Sequence, residues 1–133
     1  QLTIIRDLAK RNYPVVRIVA CPIKRERDGL AMSSRNRRLL PVHRENAGEI
    51  FKTLKNVARM ARDKEIYELK TYVNKRISKI PGYRLEYFEI ADDVTLTPLK
   101  KKSEMADDRN YYACIALFAG EIRLIDNIRI SLR

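Results

Sequence analysis

Two stripes of apolar residues at helical spacing occupy the middle of the chain. One runs from 47 to 61 and the other from 66 to 80, with apolar side chains three or four positions apart. This spacing puts the apolar side chains on one face, so each stripe predicts a helix packed on another element. Pro41 suits the first turn of the first helix, and Pro81 followed by Gly82 ends the second.

Three segments in the second half are rich in aromatic and β-branched residues, which favour strands. They span 84–91, 111–119 and 121–130, and the sequence Ala119-Gly120-Glu121 predicts a tight hairpin between the last two. The polar, highly charged segment 100–110 predicts a mobile connection. Two helices and about three strands therefore predict an α+β domain in which the helices pack on a small antiparallel sheet.

The residues 1–23 follow a different pattern. The apolar positions between 2 and 9 share one face of a predicted helix, and residues 12–14 should end that helix. Residues 15–20 are apolar at all positions but one. Such a run is typical of a strand buried on both faces, which needs sheet neighbours and covering helices that the later sequence does not provide. We interpret 1–23 as the last helix and strand of a preceding α/β domain, and 24–133 as a separate domain. A short α+β domain with one unusual strand is the alternative.

The charge balance is strongly basic. The chain has 28 Lys plus Arg against 17 Asp plus Glu, a formal net charge of +11. Such an excess attracts polyanions, which include nucleic acids, lipid headgroups and nucleotides. Much of it lies in the runs 24–27, 35–38 and 100–102, each of which is also compatible with an ordinary solvated face. The charge alone does not choose among these partners.

Cys21 and Cys114 are the two cysteines, and each lies within an apolar run. We expect small buried thiols, no disulfide and a reducing, cytoplasmic setting. No apolar stretch approaches the roughly 18 to 20 residues that span a bilayer, and no basic-then-apolar leader opens the chain. We therefore expect no membrane partner.

The stretch Asp28–Asn36, which reads Asp-Gly-Leu-Ala-Met-Ser-Ser-Arg-Asn, holds the most informative chemistry. Two adjacent hydroxyls and an arginine follow a glycine that lets the backbone bend, so several donors can surround phosphate oxygens. By itself the pattern is common, and a plain surface loop is the alternative. The single histidine, His43, has no second ligand or nucleophile near it in sequence, so we expect a surface histidine.

Three segments carry a resemblance to a known family. Residues 21–36 closely resemble the Val-Pro-Thr-x-Arg-Glu-x-Asp-Gly-Leu-Ala-Met-Ser-Ser-Arg-Asn segment of the pantothenate synthetases. Residues 85–90 resemble that family's Asp-Tyr-Leu-Glu strand region, and 123–128 match its closing Arg-Leu-Ile-Asp-Asn-Ile. The matches agree in order and distance, and the resemblance covers the whole chain.

The resemblance implies the C-terminal part of a two-domain, ATP-dependent ligase. Residues 1–23 would be the remnant of a Rossmann-like nucleotide-binding domain, and 24–133 an α+β lid in which 24–40 form the hinge and phosphate loop. Residues 32–35 would be the counterpart of the mobile Lys-Met-Ser-Lys-Ser loop of class I aminoacyl-tRNA synthetases. The implied ATP-binding residues are Lys24 (mainly through its backbone), Met32, Ser33, Ser34 and Arg35, and the implied pantoate-binding residue is Gln1.

The implied reaction condenses pantoate with β-alanine, using ATP and Mg²⁺, through a pantoyl adenylate. Its products are pantothenate, AMP and pyrophosphate, in coenzyme A biosynthesis. The family's His-x-Gly-His motif and Gly-Glu-Lys-Asp segment would precede Gln1. We therefore expect no catalytic residue and no metal ligand in this chain, an inactive isolated chain, and a full-length homodimer formed mainly through the N-terminal domain.

Two other classes of protein remain open. A small basic RNA-binding α+β domain would explain the charge and the Tyr111-Tyr112 pair, because aromatic rings interleaved with basic residues stack on bases. No RNP-type or Gly-x-x-Gly signature is present and the pair leads into an apolar strand, so nucleic acid is not the expected partner. The third class is a non-catalytic interaction domain, which would describe the chain acting alone.

Overall fold

The structure, a computed structural model, describes residues 1–106 and 108–131 and shows helices packed on one antiparallel sheet. The predicted α+β class is confirmed. No helix among the described residues is long and apolar enough to cross a membrane. The α-helices are α1 (Leu2–Asn12), α2 (Pro41–Asn46), α3 (Gly48–Met60) and α4 (Ile66–Ile77); the strands are β1 (Tyr83–Asp92), β2 (Tyr111–Ala119) and β3 (Ile122–Ile130); two short 3₁₀ helices cover Ser34–Arg38 and Lys102–Glu104.

The sheet has the order β1-β2-β3, and both pairings are antiparallel. All three strands form within two residues of their predicted bounds, and the predicted hairpin turns between Ala119 and Ile122 through Gly120, whose φ is +58°. β1 carries a bulge, because Leu85 pairs with Leu117 and Tyr87 with Ala116, so that Glu86 is an extra residue.

The core lies between α3 and α4 and one face of the sheet. Each helix turns the apolar stripe predicted from the sequence toward the strands, and the strands contribute every second residue. Among the fully buried side chains are Ile50, Leu54 and Val57 of α3, Leu69, Val73 and Ile77 of α4, and Ile90, Ile115 and Leu117 of the sheet. The opposite face of the sheet, which we call the outer face, is not covered by α3 or α4.

The first predicted helix is divided into α2 and α3 at Ala47, which keeps helical dihedrals (φ −64°, ψ −27°). Pro41 is at the start of α2, as predicted. α4 begins with a capping box in which the side chains of Glu65 and Glu68 each accept from the other's backbone N–H. The predicted helices are therefore confirmed, with one division inside the first.

The prediction of a buried strand at 15–20 is wrong for this structure. α1 forms as predicted, but the segment that follows pairs with no strand among the described residues, and Val15 is 94% exposed. A parallel strand exists only through its neighbours, and the sheet present here is antiparallel. Cys21, expected to be buried, is exposed for the same reason, while Cys114 on β2 is half-buried. Both thiols are free.

The connection 100–110 contains the short 3₁₀ helix and a contact to the helical layer, where Lys102 Nζ donates to the carbonyl of Arg62 over 2.6 Å. Asp107 lies outside the described residues. The predicted mobility of this connection stays a prediction.

His43 is not the surface histidine expected from the sequence. Its ring packs against Gly82 and Gly120, whose turns are joined by a hydrogen bond from Gly120 N to Gly82 O of 2.8 Å. Its Nδ1 is buried without a hydrogen-bond partner among the described residues. Tyr83 donates its hydroxyl to the His43 carbonyl over 2.7 Å, and burial raises the pKa of Tyr83 to about 12. Sequence spacing gave no sign of this niche, because its glycines lie far from His43 along the chain.

We predict that Gly82→Ala destabilises the fold by about 2 to 4 kcal/mol, from left-handed backbone strain and overpacking together. Gly82 has a φ of +77°, and an added Cβ would lie 2.2 Å from His43 Cε1. Urea unfolding measures the loss. In a double-mutant cycle with His43→Ala, Gly82→Ala should cost only about 1 to 2 kcal/mol, which is the backbone strain, because the ring that the new Cβ would clash with is gone. A Gly82→Ala variant as stable as the parent would contradict the close packing of His43 against Gly82.

Candidate functional site

The residues after the exposed segment fold into a small hairpin that holds the informative stretch. Met32 N donates to the carbonyl of Lys24 over 2.9 Å, and Glu26 N to that of Leu30 over 2.8 Å. Gly29 forms the turn with a φ of +95°, which favours glycine. The glycine predicted to let the backbone bend therefore does so.

The hairpin lies against α3 at distances that only glycine permits. A Cβ on Gly29 would be 2.6 Å from Phe51 Cδ1, and one on Gly48 would be 2.9 Å from the Asp28 carbonyl oxygen. The Asp28 carboxylate accepts from Leu30 N and from the Arg44 side chain. Burial alone would raise the pKa of Asp28, but these two hydrogen bonds outweigh it and hold the pKa below its ordinary value.

Arg25 joins the hairpin to the last strand. Its Nη1 and Nη2 donate to the two carboxylate oxygens of Asp126 over 2.7 and 3.1 Å, and Nη1 also donates to the Gly29 carbonyl over 3.0 Å. The guanidinium lies 3.7 Å from the ring centroid of Phe51. The side chains of Arg25 and Asp126 are only 18% and 3% exposed. This bidentate, largely buried pair fixes the hairpin on β3.

The 3₁₀ helix Ser34–Arg38 follows directly. Ser33 caps it, since its Oγ accepts from Arg35 N over 3.2 Å. Asn36 is buried and its Nδ2 donates to the Ala31 carbonyl over 3.0 Å, so the turn is tied to the hairpin. The side chains of Ser33 and Arg35 stay exposed on the outside of this turn.

A cleft of about 470 Å³ lies between this segment and the outer face of the sheet. It brings together four of the six residues predicted to bind ligands, namely Gln1, Met32, Ser33 and Arg35, whereas Lys24 and Ser34 are not on its wall. The remaining lining residues are Ile23, Leu30, Ala31, Asn36, Tyr87, Cys114, Ile115, Arg123, Leu124, Ile125, Asp126 and Asn127.

Sequence reasoning missed the wall that the sheet provides. Tyr87, Arg123 and Asn127 lie within the segments 85–90 and 123–128, which contributed to the prediction only through the family resemblance. Alternation along β3 separates Arg123 and Asn127 from the buried Leu124 and would have placed them on the outer face. Their meeting with residues 32–35 depends on the folded sheet, so no local pattern shows it.

The cleft offers hydrogen-bond donors rather than a nucleophile. Burial raises the pKa of the Cys114 thiol, which disfavours the reactive thiolate. Asp126 is already paired with Arg25, while Arg35 forms no ion pair within the part of the chain that the structure describes. No group of three His, Cys, Asp or Glu residues in that part is arranged to hold a metal ion. Such a cleft is suited to bind an anion.

Two observations bear on the RNA-binding alternative. Tyr111 is buried, and its hydroxyl accepts from Ala106 N over 2.8 Å. Tyr112 is half-buried on β2. The aromatic pair is therefore not an exposed surface on which bases could stack. Net charge is then the one feature that still favours an RNA-binding domain.

The fold and the cleft define a small α+β domain with a basic cleft, and comparison with known proteins narrows the class of protein. The sequence model of the pantoate-beta-alanine ligase family matches residues 1–129. Pantothenate synthetases of Phocaeicola vulgatus and Bacteroides thetaiotaomicron are 45% identical over 130 residues and 46% identical over 129 residues, covering 97% of this chain and 45% of each relative. The chain therefore belongs to the pantoate-beta-alanine ligase family. It spans about half the length of the curated relatives it matches.

Solved structures agree. The pantothenate synthetase of Thermus thermophilus superposes with a TM-score of 0.82 at 29% identity, covering 96% of this chain and 45% of that one. The pantoate-beta-alanine ligase of Francisella tularensis, complexed with beta-gamma ATP and beta-alanine, superposes with a TM-score of 0.61 at 26% identity, covering 97% and 39%. The expected family and fold are thus confirmed.

We predict that Arg25→Leu costs about 3 to 5 kcal/mol in the free energy of unfolding, because it leaves the Asp126 carboxylate buried and unpaired. Arg76→Leu is the matched control: it breaks the more exposed Arg76–Glu49 pair of 2.7 Å and should cost about 1 kcal/mol or less. Denaturant unfolding of both variants makes the comparison. Arg25→Leu with Asp126→Leu should recover part of the loss, and equal costs for the two single variants contradict the anchoring role.

Proposed function

We propose that this chain is the C-terminal, lid-forming part of an ATP-dependent ligase that condenses pantoate with β-alanine to give pantothenate, in coenzyme A biosynthesis. Family membership over residues 1–129 supports the reaction class. The main support for the proposed site is that Gln1, Met32, Ser33 and Arg35 line one cleft. The Francisella tularensis relative complexed with beta-gamma ATP and beta-alanine supports the ligand classes.

In the proposed reaction, the pantoate carboxylate attacks the α-phosphorus of ATP and expels pyrophosphate, giving a pantoyl adenylate. The β-alanine amine then attacks the acyl carbon and expels AMP. Charge on phosphate oxygens changes in both steps, so preorganised donors lower the barriers. Ser33, Ser34 and Arg35 are the donors that this chain would direct at the phosphates, and Gln1 would contact pantoate.

Lys24 would act through its backbone. Its carbonyl already accepts from Met32 N, whereas its N–H has no backbone partner within the described ranges. Although Lys24 is not on the cleft wall, its neighbour Ile23 is, and this N–H is the group of Lys24 that we assign to the nucleotide. Ser34 begins the 3₁₀ helix and lies between Ser33 and Arg35, which both line the cleft.

Mg²⁺ would arrive as its complex with ATP. The described residues bring together no group of three ligands for it, and Mg²⁺ in nucleotide sites is commonly held by substrate phosphates, waters and one or two carboxylates. The bound ion would neutralise phosphate charge. This chain would contribute the donors around it.

The domain division is also part of the proposal. Arg25 and the two close glycine contacts tie the hairpin to β3 and α3, so residues 24–40 would move with the body of the lid. These contacts favour a pivot before residue 24, in the exposed segment that follows α1, in place of the hinge expected within 24–40. Residues 1–23 would belong to the nucleotide-binding domain, through which a cytoplasmic, full-length homodimer would mainly form.

The test of the reaction uses a chimera, in which this chain replaces the matched 129 residues of the Bacteroides thetaiotaomicron relative. We expect pantoate-dependent AMP release on the order of 1 to 1000 per second, and no turnover from the isolated chain, since the proposed upstream substrate contacts are absent. The truncated relative without this chain is the control. A folded chimera that releases no AMP contradicts the proposed function. Ordinary turnover by the isolated chain contradicts the proposal that the upstream domain supplies the substrate contacts.

In the chimera we expect Arg35→Ala to slow adenylate formation by about a hundred- to thousandfold, because a preorganised donor to the shifting phosphate charge is lost. Arg35→Lys should recover only part, as a point charge lacks the two-pronged geometry. Arg37→Ala is the control, since Arg37 is exposed on the same 3₁₀ helix but is not on the cleft wall. Single-turnover measurements at saturating ATP and pantoate decide it. A rate for Arg35→Ala within about threefold of the parent rules out the phosphate role.

A further inference from the structure

The wall of the cleft opposite Arg35 carries a second guanidinium. Arg123, on the outer face of β3, donates its Nε–H to Glu86 over 2.6 Å. Glu86 is the extra residue of the β1 bulge, and Tyr87 beside it lines the cleft. The bulge therefore supplies a carboxylate at the place where Arg123 meets the cleft.

The Arg123–Glu86 pair is easily rearranged. The two side chains are 42% and 37% exposed, and ion pairs of this kind stabilise a fold by about 0 to 1 kcal/mol. The hydrogen bond to Glu86 is the main cause that raises the pKa of Arg123, and a guanidinium stays charged with or without that partner. It has five N–H donors, of which one serves Glu86. An incoming anion can therefore recruit Arg123 without a large loss of stability.

The remaining polar groups of the cleft also favour an anion. The side-chain amide of Asn127 forms no hydrogen bond within the part of the chain that the structure describes. The carboxylate of Asp126, which also lines the cleft, is neutralised by Arg25. Arg35 has no ion-pair partner in the same part of the chain. Two guanidiniums and a free amide thus line one cleft, and the only carboxylate on its described wall, that of Asp126, is neutralised by Arg25. The nearby Glu86 is paired with Arg123 itself.

We propose that Arg123, assisted by Asn127, binds the phosphate groups of the nucleotide from the sheet side of the cleft, opposite Arg35. Arg123 exchanges Glu86 for phosphate oxygens when the ligand binds, and returns to Glu86 when pyrophosphate leaves. This inference rests on the proposed function for the identity of the ligand. The chemistry it requires of the chain is recognition of a polyphosphate.

The test is a titration of the 133-residue chain with inorganic tripolyphosphate, followed by amide and arginine Nε–H NMR signals. Saturable shifts are expected at Arg35, Arg123 and Asn127. Arg123→Gln should weaken binding by about tenfold or more, since hydrogen bonds to charged groups contribute about 1.5 to 3 kcal/mol. Arg129→Gln is the matched control: it removes the same charge from the same strand, away from the cleft wall, and should change binding by about twofold at most.

Two further variants separate ligand binding from structural support. Glu86→Gln should tighten binding by about two- to fivefold, because a competing carboxylate is removed, and Arg123→Lys should recover part of the affinity. If the pair only supports the fold, Glu86→Gln and Arg123→Gln weaken binding alike. That result would overturn the inference. So would equal effects of Arg123→Gln and Arg129→Gln, and so would an absence of saturable shifts in the parent chain.

The chimera distinguishes this inference from the proposed function. If Arg123→Gln leaves both the KM for ATP and the inhibition constant of pyrophosphate unchanged in an active chimera, the inference fails and the function stands. If tripolyphosphate binds the chain through Arg123 but the folded chimera releases no AMP, the polyphosphate site stands and the function fails.

Discussion

The ion pair between Arg25 and Asp126 joins residues 101 positions apart in the chain, and much of the site depends on it. Two buried charges that satisfy each other in a bidentate geometry leave little freedom to either segment. The hairpin is thereby held on β3, and the Ser33–Arg35 turn that follows it is set at a fixed distance from the outer face of the sheet. The cleft exists because these two segments are fixed relative to each other.

Helical and strand periodicity predicted most of the α+β body. The apolar stripes at 47–61 and 66–80 became α3 and α4, because a single face of each is buried on the sheet. The same reasoning failed at 15–20, where apolar composition indicates a strand but cannot supply the neighbour that a strand requires. His43 shows a related limit, since its partial burial is created by two glycine turns that lie 39 and 77 positions further along the chain.

The site was predictable on one wall only. Adjacent hydroxyls, an arginine and a bending glycine form a local pattern. Its resemblance to a family segment predicts that residues within 24–35 bind the nucleotide. The other wall is made of side chains from β1 and β3 whose proximity depends on strand pairing. The partner of Arg25 was equally hidden, because a chain with 28 Lys and Arg and 17 Asp and Glu allows many pairings, and only the fold selects one.

The bulge in β1 has a consequence for how such a surface can arise. Leu85 and Tyr87 face consecutive residues of β2, so a strand lacking Glu86 would keep the same pairing on both sides of that point. Position 86 is thus equivalent to a single-residue insertion that leaves the sheet register and the buried face untouched. An inserted residue of this kind lets a strand acquire a new polar group on its exposed face while the packing beneath it is inherited unchanged.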